Sequence, residues 1–214
     1  MGDNQSNMAH SIQVNKEHYF RLGYVKKERW ANFWRQIHLV VESDAKSTLE
    51  VGIGSGIVAD ALRKMGLQVQ TLDIDPALQP DIVGSVTAIP LPDKAVDTAL
   101  AAEVLEHLPW EEVPRALAEL RRIARRHVVV TLPYAGSIIA FTVKIPLTPW
   151  MSVMVKMPHF WKKHVFDGQH YWELGKRDRS LSQFHVLLKD AGFTVREEGH
   201  TPDDPSHYYF LLSV

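Results

Sequence analysis

The first part of the chain has apolar side chains at helical spacing. Between residues 15 and 41, aromatic and aliphatic residues return every three or four positions, as the apolar face of an amphipathic helix requires. Members of this series are Tyr19, Phe20, Tyr24, Trp30, Phe33, Trp34, Ile37 and Val40. The pattern predicts one or two helices with a break near Gly23, and we interpret residues 1–46 as an N-terminal helical cap.

From residue 48 onward, short apolar runs alternate with helical stretches. This alternation is typical of a parallel sheet with helices on both faces. The apolar runs predict strands at residues 48–52, 69–73, 81–86, 96–102 and 127–132. The stretches between them predict helices at residues 56–65 and 110–125. Residues 74–80 contain two prolines and leave too little chain for a crossover helix.

The rest of the chain adds a helix, two strands and an insertion. Residues 180–191 are predicted to be helical, and residues 193–197 and 207–212 to form a hairpin-like pair of strands. We therefore expect an α/β domain over residues 47–214. The sheet does not need residues 135–179. We interpret them as a small helical subdomain that buries its own apolar face, with a lid over an apolar acceptor as the alternative.

Composition limits the classes of partner. With 214 residues, 45% of them apolar, the chain is long enough for one well-buried core. Its 24 basic residues nearly balance its 25 acidic residues, so we expect no nucleic acid partner. The chain has no cysteine, and its polar start lacks the apolar segment of a signal peptide. Both features favour a cytoplasmic location.

The insertion contains the most apolar run of the chain, residues 137–155. A lysine and two prolines within this run argue against a transmembrane helix. Its cationic side chains instead predict a weak contact of residues 137–163 with a membrane surface. They are Lys144, Lys156, Lys162 and Lys163.

A glycine-rich turn lies between the first strand and the first helix of the sheet. Gly52, Gly54 and Gly56 allow a tight turn and let the backbone approach a ligand closely. Asp73 ends the next strand, 21 residues after Gly52. A carboxylate at that point can accept hydrogen bonds from both ribose hydroxyls of a nucleoside. The two features predict a nucleoside site at one edge of the sheet.

The turn does not match the common phosphate-binding patterns. A dinucleotide fingerprint needs a further glycine where this chain has Ile57, and a P-loop needs a lysine followed by a hydroxyl residue. Neither pattern is present, so nothing obvious neutralises a polyphosphate. A phosphate-free nucleoside fits the sequence better.

Four motifs in order resemble the class I S-adenosylmethionine-dependent methyltransferases, and most closely the group known as methyltransferase type 11. The motifs are Leu-Glu-Val-Gly-Ile-Gly-Ser-Gly at 49–56, Leu-Asp-Ile-Asp-Pro at 72–76, Ile-Pro-Leu-Pro-Asp at 89–93 and Val-Leu-Glu-His-Leu-Pro at 104–109. The resemblance is strong over residues 47–133. It implies a Rossmann-like, seven-stranded, mostly parallel sheet with an antiparallel last strand, and S-adenosylmethionine as cofactor, with S-adenosylhomocysteine as product.

The resemblance also implies roles for individual residues. The three glycines would line the methionine and ribose parts of the cofactor, Asp73 would hold the ribose, and Ile74 and Val86 would meet the adenine. Ala102, Glu103 and Glu50 would lie near the methionine amino group. Members of the group commonly have an aspartate where this chain has Ser85, whose hydroxyl accepts a weaker hydrogen bond than a carboxylate.

Candidate residues for the acceptor side are mostly histidines and aromatic residues. His107 is the candidate general base, because imidazole titrates near neutral pH, and its alternative role is to orient the loop that contains it. Candidate substrate-side residues are Tyr19, Tyr24, His170, Trp172 and His207. His159, His164 and His170 have no metal-ligand spacing, so we expect no metal ion.

We therefore expect an enzyme that transfers a methyl group from S-adenosylmethionine to a small-molecule or lipid-like acceptor. Two alternatives are a nicotinamide-dependent oxidoreductase on a related sheet and a catalytically silent adenosyl-binding module. The intact glycines and Asp73 argue against the silent module. The sequence does not identify the acceptor or the oligomeric state.

Overall fold

Seven strands of the chain form one mixed sheet, and two more form a separate hairpin. The computed structural model describes residues 12–24, 26–149 and 151–214. Its strands are β1 (Ser47–Val51), β2 (Gln68–Asp73), β3 (Ile82–Val83), β4 (Val96–Ala102), β5 (Ala124–Pro133), β6 (Gly136–Val143), β7 (Met151–Pro158), β8 (Thr194–Thr201) and β9 (Asp204–Ser213). Its helices are α1 (Lys16–Phe20), α2 (Lys27–Glu42), α3 (Ile57–Lys64), α4 (Val113–Ile123) and α5 (Leu181–Asp190).

The sheet has the strand order β3-β2-β1-β4-β5-β9-β8. β1 to β5 are parallel to one another, and β9 pairs antiparallel with both β5 and β8. The α/β fold with an antiparallel last strand is therefore confirmed. Because all of β1 to β5 end at the same edge, the turns that follow β1, β2 and β4 meet there.

Helices cover both faces of the sheet. Successive strand residues point to opposite faces, so Ala99 and Ala101 pack with α4 and α5, whereas Leu100 packs with α2 and α3. α5 begins with a capping box, in which Ser180 and Gln183 satisfy each other's backbone N–H groups. α2 contributes Phe33, Leu39 and Val40 to the core, so this part of the cap region packs directly on the sheet. The division at residue 46 stays a prediction, and residues 1–11 lie outside the described residues.

Several boundaries differ from the sequence expectation, and two of the differences have a clear physical reason. α4 ends at Ile123 rather than at residue 125, because Ala124 has extended backbone and pairs with Val96 of β4. β3 has two residues instead of six, because the chain turns back after Gly84 and Ser85 bridges to Ala88. The short 3₁₀ turn Pro76–Leu78 replaces a crossover helix, as expected.

The insertion is a β-hairpin, so the expectation of a small helical subdomain is wrong. β6 and β7 pair antiparallel over eight residues each. Both strands are rich in β-branched residues, which favour this extended pairing over a helix. The hairpin also does not bury its own apolar side chains, most of which are exposed. Within the residues that the structure describes, no helix combines the length and apolar content needed to cross a membrane.

Candidate functional site

A cavity of about 270 Å³ opens at the edge where β1, β2 and β4 end. Fourteen of the sixteen candidate residues line it. They are Tyr19, Tyr24, Glu50, Gly52, Gly54, Asp73, Ile74, Ser85, Val86, Ala102, Glu103, His107, His170 and His207. The sequence motifs thus meet in one place, although Tyr19 and His207 are far apart along the chain.

The glycine turn after β1 requires glycine for two different reasons. Gly52 has φ +79°, and a Cβ on it would lie 2.6 Å from Cγ2 of Val104, in the turn after β4. Gly54 has φ +50°, and a Cβ there would lie 3.4 Å from two ring carbons of Tyr19. Gly52 therefore lets two turns of the sheet edge pack against each other. Gly54 lies under an aromatic side chain from the N-terminal region.

Gly56 does not line the cavity, which corrects the expectation that all three glycines would do so. It has φ +75° and is the N-cap residue of α3. The nearest heavy atoms to a Cβ at this position would be side-chain atoms of Ile53, 4.0 Å away. Gly56 is thus required by the left-handed backbone that starts the helix rather than by closeness to a ligand.

Asp73 is held at the tip of β2 by backbone hydrogen bonds. Its Oδ2 accepts from the N–H of Ile53 at 3.0 Å, and its Oδ1 accepts from the N–H of Asp75 at 2.9 Å. Burial raises the pKa of Asp73, although both hydrogen bonds oppose this shift. Each carboxylate oxygen keeps a second acceptor direction, so the oriented side chain can still accept from ligand hydroxyls.

Glu50 is a buried acid next to the glycine turn. It is buried at the end of β1, and its Oε2 has no hydrogen-bond partner among the described residues. Burial raises its pKa to about 8, against a hydrogen bond from the backbone of Ala59. A buried acceptor without a partner lowers the stability of the folded protein by roughly 1–3 kcal/mol. A ligand donor that reaches this oxygen would recover that loss.

Aromatic side chains from the N-terminal region cover the glycine turn. The rings of His18, Tyr19 and Tyr24 are 5.5 to 5.6 Å apart, centroid to centroid, in edge-to-face contacts. The guanidinium of Arg29 lies 4.7 Å from the centre of the Tyr24 ring. These residues also line the cavity. The position of these rings therefore affects how a ligand reaches the glycine turn.

Ser85 and Val86 follow β3, and Ala102 ends β4. All three line the cavity, and Val86 is also buried in the core. The hydroxyl of Ser85 is 2.9 Å from that of Thr87 and accepts from the N–H of Thr87 at 3.2 Å. This hydroxyl is thus partly engaged within its own turn.

A buried ion network joins the turn after β4 to β9. Glu103 accepts a hydrogen bond from the hydroxyl of Thr131 at 2.9 Å, and its Oε2 lies 3.2 Å from Nε2 of His207. Nδ1 of His207 lies 2.7 Å from Oδ1 of Asp204. Burial alone would lower the pKa of His207, but the two carboxylates outweigh burial and raise it to about 10. His207 is therefore an imidazolium at neutral pH.

His107 has a defined tautomer. Its Nδ1 lies 3.1 Å from the carbonyl oxygen of Gln169 and 3.0 Å from Oε1 of Gln13. A carbonyl oxygen only accepts, so Nδ1 carries the hydrogen and Nε2 keeps the lone pair. Burial and the nearby His170 lower the pKa of His107. The ring is therefore neutral at pH 7, with a basic nitrogen in the lining of the cavity.

Glu106 is a site residue that the sequence analysis left without a role. It is fully buried and lines the cavity, and neither carboxylate oxygen has a hydrogen-bond partner among the described residues. Burial and the Glu103 carboxylate raise its pKa to about 8. One atom each of Glu106, His107 and His170 lies within 4.8 Å of the others, a spacing that a metal ion could use. Only the fold brings His170 to this pair.

Trp172 lies outside the cavity, which corrects its selection as a substrate-side residue. Its side chain is buried between Trp110 and Phe184, with ring centroids 4.9 and 6.1 Å away. Its indole N–H donates to the carbonyl oxygen of Leu108 at 3.0 Å. Trp172 therefore packs the core and anchors the returning end of the insertion.

The chain is similar to known methyltransferases. The family described as "Methyltransferase domain" matches residues 49–131. One relative is the ubiquinone biosynthesis O-methyltransferase of Paramagnetospirillum magneticum, 25% identical over 192 residues, which cover 83% of this chain and 71% of the relative. Another is a probable S-adenosylmethionine-dependent methyltransferase of Mycolicibacterium smegmatis, 29% identical over 182 residues. The match covers 78% of this chain but only 61% of that relative.

Solved structures share the fold at low sequence identity. The 1,6-didemethyltoxoflavin-N1-methyltransferase of Burkholderia thailandensis has a TM-score of 0.66 and 15% identity, covering 100% of this chain and 89% of its own. An S-adenosylmethionine-dependent methyltransferase of Aquifex aeolicus has a TM-score of 0.60 and 17% identity, covering 94% of this chain and 99% of its own. At these identities the likeness concerns the fold alone.

Proposed function

Because the chain belongs to the class I S-adenosylmethionine-dependent methyltransferases, in the type 11 group, we propose that it methylates a small-molecule or lipid-like acceptor. The observation that carries the proposal is the position of Asp73. Two backbone N–H groups orient its carboxylate beside the glycine turn. Asp73 lines an open cavity together with Gly52 and Gly54 of that turn. This is the arrangement that a ribose needs at the end of parallel strands.

The acidic side chains of the cavity fit the cofactor as hydrogen-bond acceptors. They are Glu50, Asp73, Asp75, Glu103 and Glu106. When bound, S-adenosylmethionine supplies a methyl group that its sulfonium charge already activates. Glu50 and Glu106, with pKa values of about 8, are largely protonated at pH 7 and add little negative charge. All five can still accept hydrogen bonds, which the ribose hydroxyls and the ammonium group of the cofactor can donate. We assign Asp73 to the ribose hydroxyls, and Glu50 and Glu103 to the methionine end.

We assign the acceptor to the end of the cavity lined by Glu106, His107 and His170, which we call the acceptor end. His107 is neutral and has its Nε2 lone pair free of hydrogen bonds among the described residues. It can therefore take the proton of an acceptor hydroxyl. Glu106, which has no partner among those residues, can accept a second hydrogen bond from the acceptor.

The acceptor end favours proton transfer over metal binding. Burial tends to lower the pKa of His170, but the Glu173 carboxylate and Glu106 outweigh burial and raise it. A raised pKa makes His170 a poorer metal ligand, because a metal ion must compete with a proton for the ring nitrogen. We therefore expect turnover to be unchanged by a chelator such as EDTA, and the same assay would reveal a metal requirement.

Ligand-dependent melting tests the cofactor assignment. S-adenosylhomocysteine should raise the melting temperature, and NAD or NADP should not, because only a ligand of the folded state stabilises it. Asp73→Ala should weaken binding by about 1–3 kcal/mol, the range for losing a charge-assisted hydrogen bond. Stabilisation by NAD alone would support the oxidoreductase alternative. Stabilisation by none of these ligands would contradict the proposed site.

Asp81→Ala is the matched control. Asp81 also accepts from a backbone N–H on β2, that of Thr71 at 2.9 Å, but it does not line the cavity. Its replacement should lower the melting temperature and leave S-adenosylhomocysteine affinity unchanged. Incubation with methyl-labelled cofactor and cell extract, followed by mass spectrometry, would identify the acceptor. A protein that binds the cofactor but labels nothing would support the silent module.

A further inference from the structure

One face of the hairpin formed by β6 and β7 is apolar except for Ser137 at its base. The register pairs Ile139 with Val155, Phe141 with Val153 and Val143 with Met151. These six side chains point to the same side, and each is between 45% and 67% exposed. We call them the outer face. Three adjacent cross-strand pairs of this kind form a contiguous apolar patch, which proteins rarely leave uncovered.

The opposite face of the hairpin is different in character. Its pairs are Ala140 with Met154 and Thr142 with Ser152, and the hydroxyls of the second pair are 3.0 Å apart. Lys156 on this side donates from Nζ to the carbonyl oxygens of Tyr134 and Pro205. These bonds tie the base of the hairpin to the rest of the chain. Among the described residues, no comparable contact accounts for the outer face.

The ends of the hairpin continue the apolar character. Ile145 and Leu147, in the turn between the strands, are exposed, and Leu147 is completely so. At the base, Phe160 and Trp161 are also exposed and stack edge-to-face with centroids 5.0 Å apart. A tryptophan beside lysines is typical of side chains that lie at a lipid–water interface.

The stretch of chain that contains the hairpin has no acidic side chain, only basic ones. No aspartate or glutamate occurs between Glu119 and Asp167, although the chain has 25 acidic residues. The lysines of this stretch include Lys144 at the tip and Lys162 and Lys163 after Trp161, and all three are exposed. A patch that is apolar at its centre and cationic at its rim complements a surface that is apolar inside and anionic outside.

We propose that the outer face and the tip of the hairpin bind the surface of an anionic lipid bilayer. A second copy of the chain is the less favoured occupant, because pairing two outer faces would bring the exposed lysines of two hairpins, Lys144, Lys162 and Lys163 of each, close together. β6 begins three residues after Pro133, which lines the cavity. Bilayer binding would thus place the cavity near lipid-soluble acceptors, a consequence that rests on the proposed function, whereas the binding itself does not.

Vesicle co-sedimentation tests the proposal. We expect the full chain to sediment with vesicles that contain phosphatidylglycerol, and less with vesicles of phosphatidylcholine alone. Phe141→Asp should reduce the bound fraction by at least about tenfold, because it puts a charge in the centre of the apolar patch. A double Lys162→Glu, Lys163→Glu change should remove the preference for phosphatidylglycerol. High salt should have the same effect as the double change.

Val186→Asp is the matched control, because Val186 is 55% exposed on α5 and lies outside the hairpin. It should bind vesicles as the unchanged chain does. Both aspartate variants should keep their melting temperature and its increase with S-adenosylhomocysteine. These readouts separate loss of lipid binding from loss of the cofactor site. Equal vesicle binding by Phe141→Asp and the unchanged chain would overturn the proposal, as would a lipid-free dimer that Phe141→Asp converts to monomer.

Discussion

Three ionisable side chains that line the cavity have shifted pKa values because they meet different neighbours. His107 faces a carbonyl oxygen and a second histidine and is neutral. His207 lies between two carboxylates and is charged. Glu106 has no hydrogen-bond partner among the described residues, and its pKa is raised to about 8. Residue type alone would predict neither the charge of His207 nor the raised pKa of Glu106.

The pH dependence of turnover should identify the base. His107 has its pKa lowered from 6.5, so its basic form is present above that pH, and the rate should fall only as pH drops below about 6.5. His107→Gln should lower kcat by about 10²-fold or more and remove this limb of the profile. The measurement is kcat between pH 5 and 9 with a saturating acceptor.

The same profile distinguishes Glu106. If Glu106 were the base, the rate would rise around pH 8, because its pKa is about 8, and His107→Gln would leave that rise in place. Glu106→Gln keeps the size of the side chain and removes its charge, so it is the complementary variant. A limb near pH 8 that only Glu106→Gln removes would contradict the assignment to His107.

At the level of elements, the turn between β1 and α3 is shaped by its fit to the turn after β4. Gly52 lies against Val104, so two glycines of one motif have unequal constraints: Gly52 needs both a left-handed backbone and empty space, whereas Gly56 needs only the backbone. The motif therefore serves the packing of the sheet edge as well as the ligand. We therefore expect a substitution at Gly52 to lower the free energy of unfolding more than a substitution at Gly56.

Gly52→Ala should lower the free energy of unfolding by about 2–4 kcal/mol, from an unfavourable φ and a clash that the stiff Val104 side chain cannot avoid. Gly66→Ala is the control for backbone strain alone. Gly66 has φ +91°, and a Cβ added to it would have no heavy atom within 4 Å, so this change should cost about 1 kcal/mol. Urea unfolding compares the two, and equal losses would show that the contact with Val104 contributes nothing.

At the level of the whole molecule, the Glu103, His207 and Asp204 network ties the turn after β4 to a strand near the end of the chain. His207 has a folded pKa of about 10 against an ordinary value of 6.5. A raised pKa stabilises the fold fully below the lower value, and this stabilisation is lost as pH rises through the higher one. The network should therefore contribute most below pH 6.5 and little above pH 10.

His207→Gln should lower the free energy of unfolding by about 3–5 kcal/mol near pH 6, because Glu103 then stays buried without its cation. The difference from the unchanged chain should shrink between pH 6.5 and 10, where that chain also loses the charge. Denaturant unfolding at several pH values measures this difference. A difference that is constant with pH would mean that His207 acts through packing and not through its charge.

The sequence predicted most of the central sheet and the cofactor side of the site. The boundaries of β4 and the location of Asp73 follow from apolar runs bounded by turn residues, which are local signals. The sequence says less about how the acceptor side is arranged. It named His170 and His207, but their positions beside the strand tips depend on long connections. Trp172 and the hairpin were misjudged for another reason. The sequence does not show whether an aromatic or apolar side chain packs in a core or faces outward.

Local patterns were thus sufficient for the α/β class, the order of the strands along the chain and the residues at the strand tips, because backbone geometry and the spacing of apolar positions act over a few residues. Only the folded chain decides which distant side chains become neighbours. It gives His107 its tautomer, pairs His207 with two acids and buries Glu106 without a hydrogen-bond partner among the described residues. Protonation and exposure depend on burial and on charges within a few ångströms, and these distances exist only after folding.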